Sequence, residues 1–143
     1  MTIPIERWLL DTNIWVFGLR GAEGLQDCGT LLNQIGSFTV VIPLQVLKEL
    51  NFNLSEDEMR DFYKLVNQYP EAIELSWQSA PLNRIKFYEG QGCRKGDAVI
   101  AAHAEILAVI LIVTENRQFL QTIKNRQFEV LTPTAAIARL STA

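Results

Sequence analysis

The chain of 143 residues contains one histidine and only two cysteines, Cys28 and Cys93. A zinc site needs several sulfur or imidazole ligands at short spacing, and a disulfide framework needs more cysteines, so neither organises this molecule. A Ser/His or Cys/His nucleophilic centre would have only His103 as its base. That residue falls inside an apolar, alanine-rich stretch, where a core histidine is the simpler reading. The two thiols are expected to be free, buried or half-buried, in a reducing compartment. Long hydrophobic runs are missing too: the longest, Ile106 to Val113, is far short of the roughly 20 residues of a membrane span. The first residues, MTIPIERWLL, reach Glu6 without a cleavage-site pattern, so no signal peptide is expected. The expectation is a soluble cytoplasmic protein without membrane contacts.

An excess of positive charge is also lacking. Thirteen Lys and Arg face sixteen Asp and Glu, for a net charge of -3. Broad electrostatic coating of nucleic acid normally shows as a basic domain. A cluster of metal-binding carboxylates would itself lower the charge, so the balance does not exclude a nuclease. With 48% hydrophobic and 20% charged residues the chain lies in the globular range. A chain of this length buries about 68–70% of its unfolded surface, which supports one domain over residues 1–143 without staples.

What is present is an alternation of short apolar runs and helical patterns, the signature of an α/β domain. Arg7 to Leu10 reads as a buried strand. Leu25, Cys28, Leu31, Leu32 and Ile35 recur at helical spacing, with Gly36 as a stop, and Phe38 to Ile42 reads as a second strand. Pro43 suits the first turn of a helix through QVLKEL. Ser55 and Glu58 fit a capping box, opening a helix with Met59, Phe62, Tyr63 and Val66 on one face. Ile73, Leu75 and Trp77 alternate with polar residues as a short edge strand, and Pro81 to Glu89 reads as a helix with Leu82, Ile85 and Tyr88 inward. After the loop Gly90 to Cys93, a buried helix is expected from Lys95 to about Leu107. A strand follows over Val109 to Val113, then a short helix over Asn116 to Thr122. A strand over Phe128 to Leu131 and a last helix opened by Thr132-Pro133 complete the chain. The tetrapeptide Asn-Arg-Gln-Phe occurs at 116–119 and at 125–128, in a predicted helix and before a predicted strand respectively, and is read as coincidence.

Three acids stand at suggestive places. Asp11 ends the first strand, and ligands of open α/β sheets bind outside the carboxyl ends of strands. A carboxylate there must be exposed, paired or coordinating, but it could equally cap the next helix. Asp97, in Lys95-Gly96-Asp97-Ala98, opens the alanine-rich helix, where an acid also offsets the helix dipole. Glu49 lies within VLKEL and could be a solvated face residue. Thr114, Glu115 and Asn116 form a polar cluster after the strand ending at Val113.

Taken in order, LLDTNIW, VLKEL, KGDAVIAAHA and LIVTENRQF resemble the PIN-domain ribonucleases, including VapC-type toxins, over residues from about 8 to 131. The resemblance implies a three-layer α/β/α sandwich with a central parallel sheet and metal-dependent cleavage of RNA. It implies Asp11, Glu49 and Asp97 as catalytic, metal-binding carboxylates for Mg²⁺ or Mn²⁺. The family's fourth acid falls at Asn116, with Glu115 one residue earlier; Glu115 could substitute, or Asn116 could hold a metal-bound water. Asn13 and Thr114 match polar neighbours of the metal. Among cations, Arg117 and Lys95 are the candidates for RNA phosphates beside Asn13, Thr114 and Asn116, with Arg94, Arg84 and Lys86 weaker ones. Trp8, Trp15 and Trp77 could stack bases but read more simply as core.

The resemblance admits a toxin held by a small antitoxin protein, a housekeeping RNA-processing nuclease, and a homodimer. The alternative from another class is a catalytically weak PIN-fold module that binds RNA or protein. An acid phosphotransferase with Asp11 as nucleophile usually carries a second aspartate two residues on, and Asn13 stands there instead.

Overall fold

A computed structural model describes residues 5–123 and 127–141. Asn125 and Arg126 of the second Asn-Arg-Gln-Phe copy lie outside them. In chain order the elements are β1 (Arg7–Leu10), α1 (Thr12–Arg20), α2 (Gln26–Asn33), β2 (Thr39–Pro43), α3 (Leu44–Asn53), α4 (Glu56–Gln68), β3 (Ile73–Ser76), α5 (Leu82–Gly90), α6 (Lys95–Ile106), β4 (Leu111–Val113), α7 (Arg117–Thr122), β5 (Glu129–Leu131) and α8 (Pro133–Ser141).

The five strands form one parallel sheet in the order β3-β2-β1-β4-β5. Trp8, Leu9 and Leu10 pair with Leu111, Ile112 and Val113, and all six are fully buried. Parallel strands are covered by helices on both faces, which is why these runs are apolar throughout rather than alternating. Trp8 stacks on Phe38 with ring centroids 4.3 Å apart. Helices α1 and α2 pack together with α8 against α2, while α5 packs on α6, giving the expected α/β/α arrangement. The alanines of α6 are buried because their short side chains let this helix approach the sheet closely.

The chain turns back on itself between β1 and β4. Successive strands β1, β2 and β3 build outward on one side, whereas β4 and β5 lie on the other. Adjacent loops therefore diverge at the carboxyl ends of β1 and β4, leaving a crevice at this switch point.

Several sequence expectations shift at element ends. Pro43 is the last residue of β2 and the N-cap of α3 rather than part of its first turn. Helix α2 stops at Asn33 with Gln34 as its C-cap, and Gly36 instead supplies a positive φ of 111° in the following loop. The box at Ser55 forms in full, its hydroxyl accepting from Glu58 N and Glu58 accepting from Ser55 N. On α4 the inward face holds Met59, Phe62, Leu65 and Val66, while Tyr63 is exposed. Leu82 is exposed because it occupies the first residue of α5, ahead of the inward-facing Ile85 and Tyr88. Trp77 is 66% exposed, since β2 ends opposite Ser76 and gives it no partner.

The strand expected from Val109 begins only at Leu111, because its first residues close α6. Val109 N donates to Ala104 O and Ala108 N to Glu105 O, with Ala108 at φ 55°. This is a Schellman closure with alanine in the left-handed position. Helix α1 ends in the same way through Ala22 N to Phe17 O, but there Gly21 takes the left-handed residue at φ 60°.

Candidate active site

Each of the three acids sits at the carboxyl edge of the sheet. Asp11 follows β1 and does cap α1, its Oδ1 accepting Thr12 N at 2.7 Å. Its other oxygen, Oδ2, accepts the Thr114 hydroxyl at 2.7 Å and the Asn13 side-chain amide at 3.4 Å. Thr114, fully buried after β4, in turn accepts from Asn116 N at 3.0 Å and from Asn13 Nδ2 at 3.4 Å. The loops after β1 and β4 are thus stitched together through one hydroxyl.

Glu49 comes from α3, where Gln45, Glu49 and Asn53 are four residues apart and share a helix face. Its Oε1 accepts the Thr12 hydroxyl at 3.0 Å and its Oε2 the Gln45 amide at 2.8 Å. A Cβ added to Gly96 would lie 3.5 Å from that Oε2, so Glu49 faces the first turn of α6. Asp97 occupies that turn and accepts Asn116 Nδ2 at 3.4 Å.

Asp11, Glu49, Asp97, Asn13 and Asn116 line one cleft of about 390 Å³, together with Thr12, Arg20 and Asn53. Thr114 lies behind the lining. Glu115 faces elsewhere, accepting the Cys28 thiol at 3.9 Å, and is not part of the cleft wall. Asn116 takes the wall position, but its carbonyl accepts from Gln118 N and Phe119 N as the N-cap of α7, leaving its amide for Asp97. Lys95 and Arg117 are exposed and outside the cleft wall. Arg84 is engaged with Glu105 of α6, its Nη2 2.9 Å from Oε1.

Electrostatically the acids strain against one another. Burial pushes the Asp11 carboxyl up to about 6, aided by the charges of Asp97 and Glu49 and opposed by the bonds from Thr114 and Thr12. Burial and then the Glu49 charge raise Asp97, against the pull of Arg94. Both thiols are held protonated: burial and Glu115 push Cys28 up to about 12, and burial and Asp97 push Cys93 up to about 11. Neither offers a thiolate nucleophile at neutral pH. His103 is buried in α6, away from the cleft wall. Among the described residues, no three or more His, Cys, Asp and Glu side chains are gathered as a ready ligand set for a metal ion.

Sequence reasoning missed four wall or wall-supporting residues: Thr12, Arg20, Gln45 and Asn53. Helical spacing could have found three of them, Arg20, Gln45 and Asn53. Asn13, Phe17 and Arg20 share one face of α1, as Gln45, Glu49 and Asn53 share one of α3.

The sequence profile of the PIN domain matches residues 8–125, which include all the cleft acids. The chain belongs to the PIN domain family. Solved structures carry the same fold. The chain is similar to VapBC2 from Rickettsia felis, solved bound to a DNA fragment from its promoter, at 19% identity, covering 88% of this chain and 98% of that one, with a TM-score of 0.55. It is similar also to PAE2754 from Pyrobaculum aerophilum, at 13% identity over 97% of each chain and a TM-score of 0.58. No curated protein matches the sequence. Within this PIN fold, the sheet order and the switch point account for where the acids meet. No described helix is long and apolar enough to cross a membrane.

Proposed function

We propose that this PIN-domain chain is a metal-dependent endoribonuclease hydrolysing RNA phosphodiester bonds. The observation that carries the reading is the convergence of Asp11, Glu49 and Asp97, from three separate elements, on one cleft at the carboxyl edge of the sheet. Burial first, and the neighbouring carboxylate charges after it, raise Asp11 and Asp97, and a bound cation would relieve both. PIN nucleases generally use divalent metal ions, and hard carboxylate oxygens suit Mg²⁺ or Mn²⁺. Asp11, Glu49 and Asp97 would hold the ion, with Asn116 orienting Asp97 through its amide. When bound, the metal supplies an acidified water and charge stabilisation at the leaving oxygen.

The chain's own contribution is to set the oxygens in advance. Thr114 and Asn13 orient Asp11, while Thr12 and Gln45 fix both oxygens of Glu49. Such supporting bonds are what keep ligand oxygens in place before substrate arrives. Glu115, turned towards Cys28, is left out of the ligand set in this reading.

The test is degradation of a labelled RNA by the purified chain with Mg²⁺ or Mn²⁺. Cleavage that EDTA stops and Asp97→Asn abolishes supports the proposal; metal-independent cleavage, or full activity in Asp97→Asn, overturns it. Binding of RNA without cleavage under either metal favours the catalytically weak binding module, a reading helped by Asn116 in the place of an acid. The fold likeness to VapBC2 supports the further proposal that the chain is a toxin controlled by a small antitoxin. A neighbouring small reading frame whose product suppresses cleavage supports that role, and unrestrained activity beside its neighbours' products favours RNA processing.

A further inference from the structure

Among the described residues, Arg20 is the only cation that lines the acidic cleft. It stands in the last turn of α1, on the face that carries Asn13 and Phe17. Its guanidinium is held from two sides. Nε donates to Glu58 Oε2 at 2.6 Å, while Nη2 donates to Glu58 Oε1 at 3.2 Å and to Asn53 O at 3.0 Å. Among the described residues, Nη1 donates to nothing, so two of the five N–H groups of this cleft-lining residue are open. Glu58 cannot swing away freely, because the same Oε1 accepts Ser55 N in the capping box of α4. Asn53 is fixed likewise, its amide donating to Glu49 O at 2.8 Å. The result is a guanidinium pinned in one orientation with one nitrogen left open.

A polyanion entering a cleft of three carboxylates needs a positive contact away from the reacting bond. Arginine suits this, since its planar fork can serve a carboxylate on one edge and a phosphate on another. The cations considered from sequence do not fill the role at the wall: Lys86, Arg94, Lys95 and Arg117 lie outside it, Arg94 acting on Asp97 only through its charge, and Arg84 is paired with Glu105. We propose that Arg20 is a substrate-binding residue, receiving through Nη1 a phosphate of the RNA strand that flanks the cleaved bond, while Asn53 O helps to hold it and Glu58 competes for its charge. This inference rests on the ribonuclease reading above.

A purely structural Arg20–Glu58 pair between α1 and α4 makes a different prediction, and paired variants separate the two. The measurement is fluorescence anisotropy of a short labelled oligouridylate in Mg²⁺, using the full chain carrying Asp97→Asn so that the strand survives. Thermal melting runs beside it. Arg20→Gln is expected to weaken binding about three- to tenfold and to lower the slope of log K against log salt by about 0.7, the loss of one single-strand phosphate contact. Arg20→Lys retains the charge and should keep most of the slope. Glu58→Gln preserves the capping box, which glutamine also satisfies, and removes the competing negative charge; it should tighten binding. A structural pair predicts that Arg20→Gln and Glu58→Gln lower the melting temperature alike and leave affinity unchanged. Equal affinity of Arg20→Gln and its parent, or weakening by Glu58→Gln, overturns the assignment while leaving the nuclease reading intact. If the parent chain neither binds nor, as wild type, cleaves RNA, both readings fall together.

Discussion

The hydroxyl of Thr114 donates to Oδ2 of Asp11 across 2.7 Å, joining two residues that lie 103 positions apart in the chain. The bond closes the crevice at the sheet's switch point from within, since Thr114 is fully buried and Asp11 almost so. It also opposes the burial that drives the Asp11 carboxyl upward.

Thr114→Val should therefore lower stability by roughly 1–3 kcal/mol, because it keeps the shape but leaves a buried carboxylate and the Asn13 amide short of a partner. Urea denaturation at pH 7 measures it. A loss below the error of the method would show that water satisfies Asp11 in its place.

Asp11→Asn should have opposite effects on stability and on cleavage. With the folded pKa raised to about 6, against about 3.9 for a free aspartate, the folded protein binds this proton more tightly than the unfolded chain. The favourable contribution is present below pH about 4 and is lost as pH rises through 6. In EDTA, Asn at this position should accordingly stabilise the protein at pH 7–8 by roughly 1–3 kcal/mol, with the advantage over wild type disappearing near pH 4. Cleavage of RNA should vanish in the same variant. Denaturation midpoints across that pH range, compared with wild type, are decisive.

His103 works on the acid side. Burial, and then the charge of Lys48, depress its pKa below the ordinary value, and among the described residues its Nδ1 has no hydrogen-bond partner. The unfolded chain thus takes up this proton first, so the His103 contribution to stability should fall as pH drops below about 6.5, against the gain from Asp11. His103→Leu should flatten that slope between pH 6.5 and 5. An unchanged slope in the variant would locate the acid sensitivity elsewhere.

Ala108→Gly should raise stability by about 1 kcal/mol. Ala108 is exposed and holds φ 55° at the close of α6, a backbone conformation that strains any Cβ and that Gly21 serves at the end of α1. The greater flexibility of glycine in the unfolded chain offsets part of the gain. A shift in the thermal midpoint gives the answer, and a decrease would mean that the offset dominates.

Much of this molecule can be read from local pattern. The apolar strands β1, β2 and β4, the capping box at Ser55 and the buried alanine helix are set by neighbours within a few residues, where side-chain periodicity and capping chemistry act. Asp11 and Asp97 stand at the ends of such elements and Glu49 inside α3, and the ordered resemblance to the PIN family is what named the three together. Where elements stop was less legible: Val109 looks like strand by composition, yet its N–H is taken by the Schellman closure of α6. Trp77 alternates correctly with Ile73 and Leu75, but β2 is too short to pair with it. The choice between Glu115 and Asn116 was beyond local pattern altogether. Adjacent residues leaving a strand point in different directions, and only the placement of Cys28 on α2 and Asp97 on α6 decides which one meets the cleft. Arg20 is legible in part, since helical spacing sets it on the face of Asn13 and Phe17. Its sequence neighbourhood is an ordinary helix end, and its position on the cleft wall depends on Asn53 and Glu58 arriving from α3 and α4. Composition and periodicity determined the α/β fold, because those are short-range effects, whereas the three acids were singled out as a set only through the ordered resemblance to the PIN family. Which polar groups meet across the cleft is a long-range matter, decided by the packing of helices around the sheet.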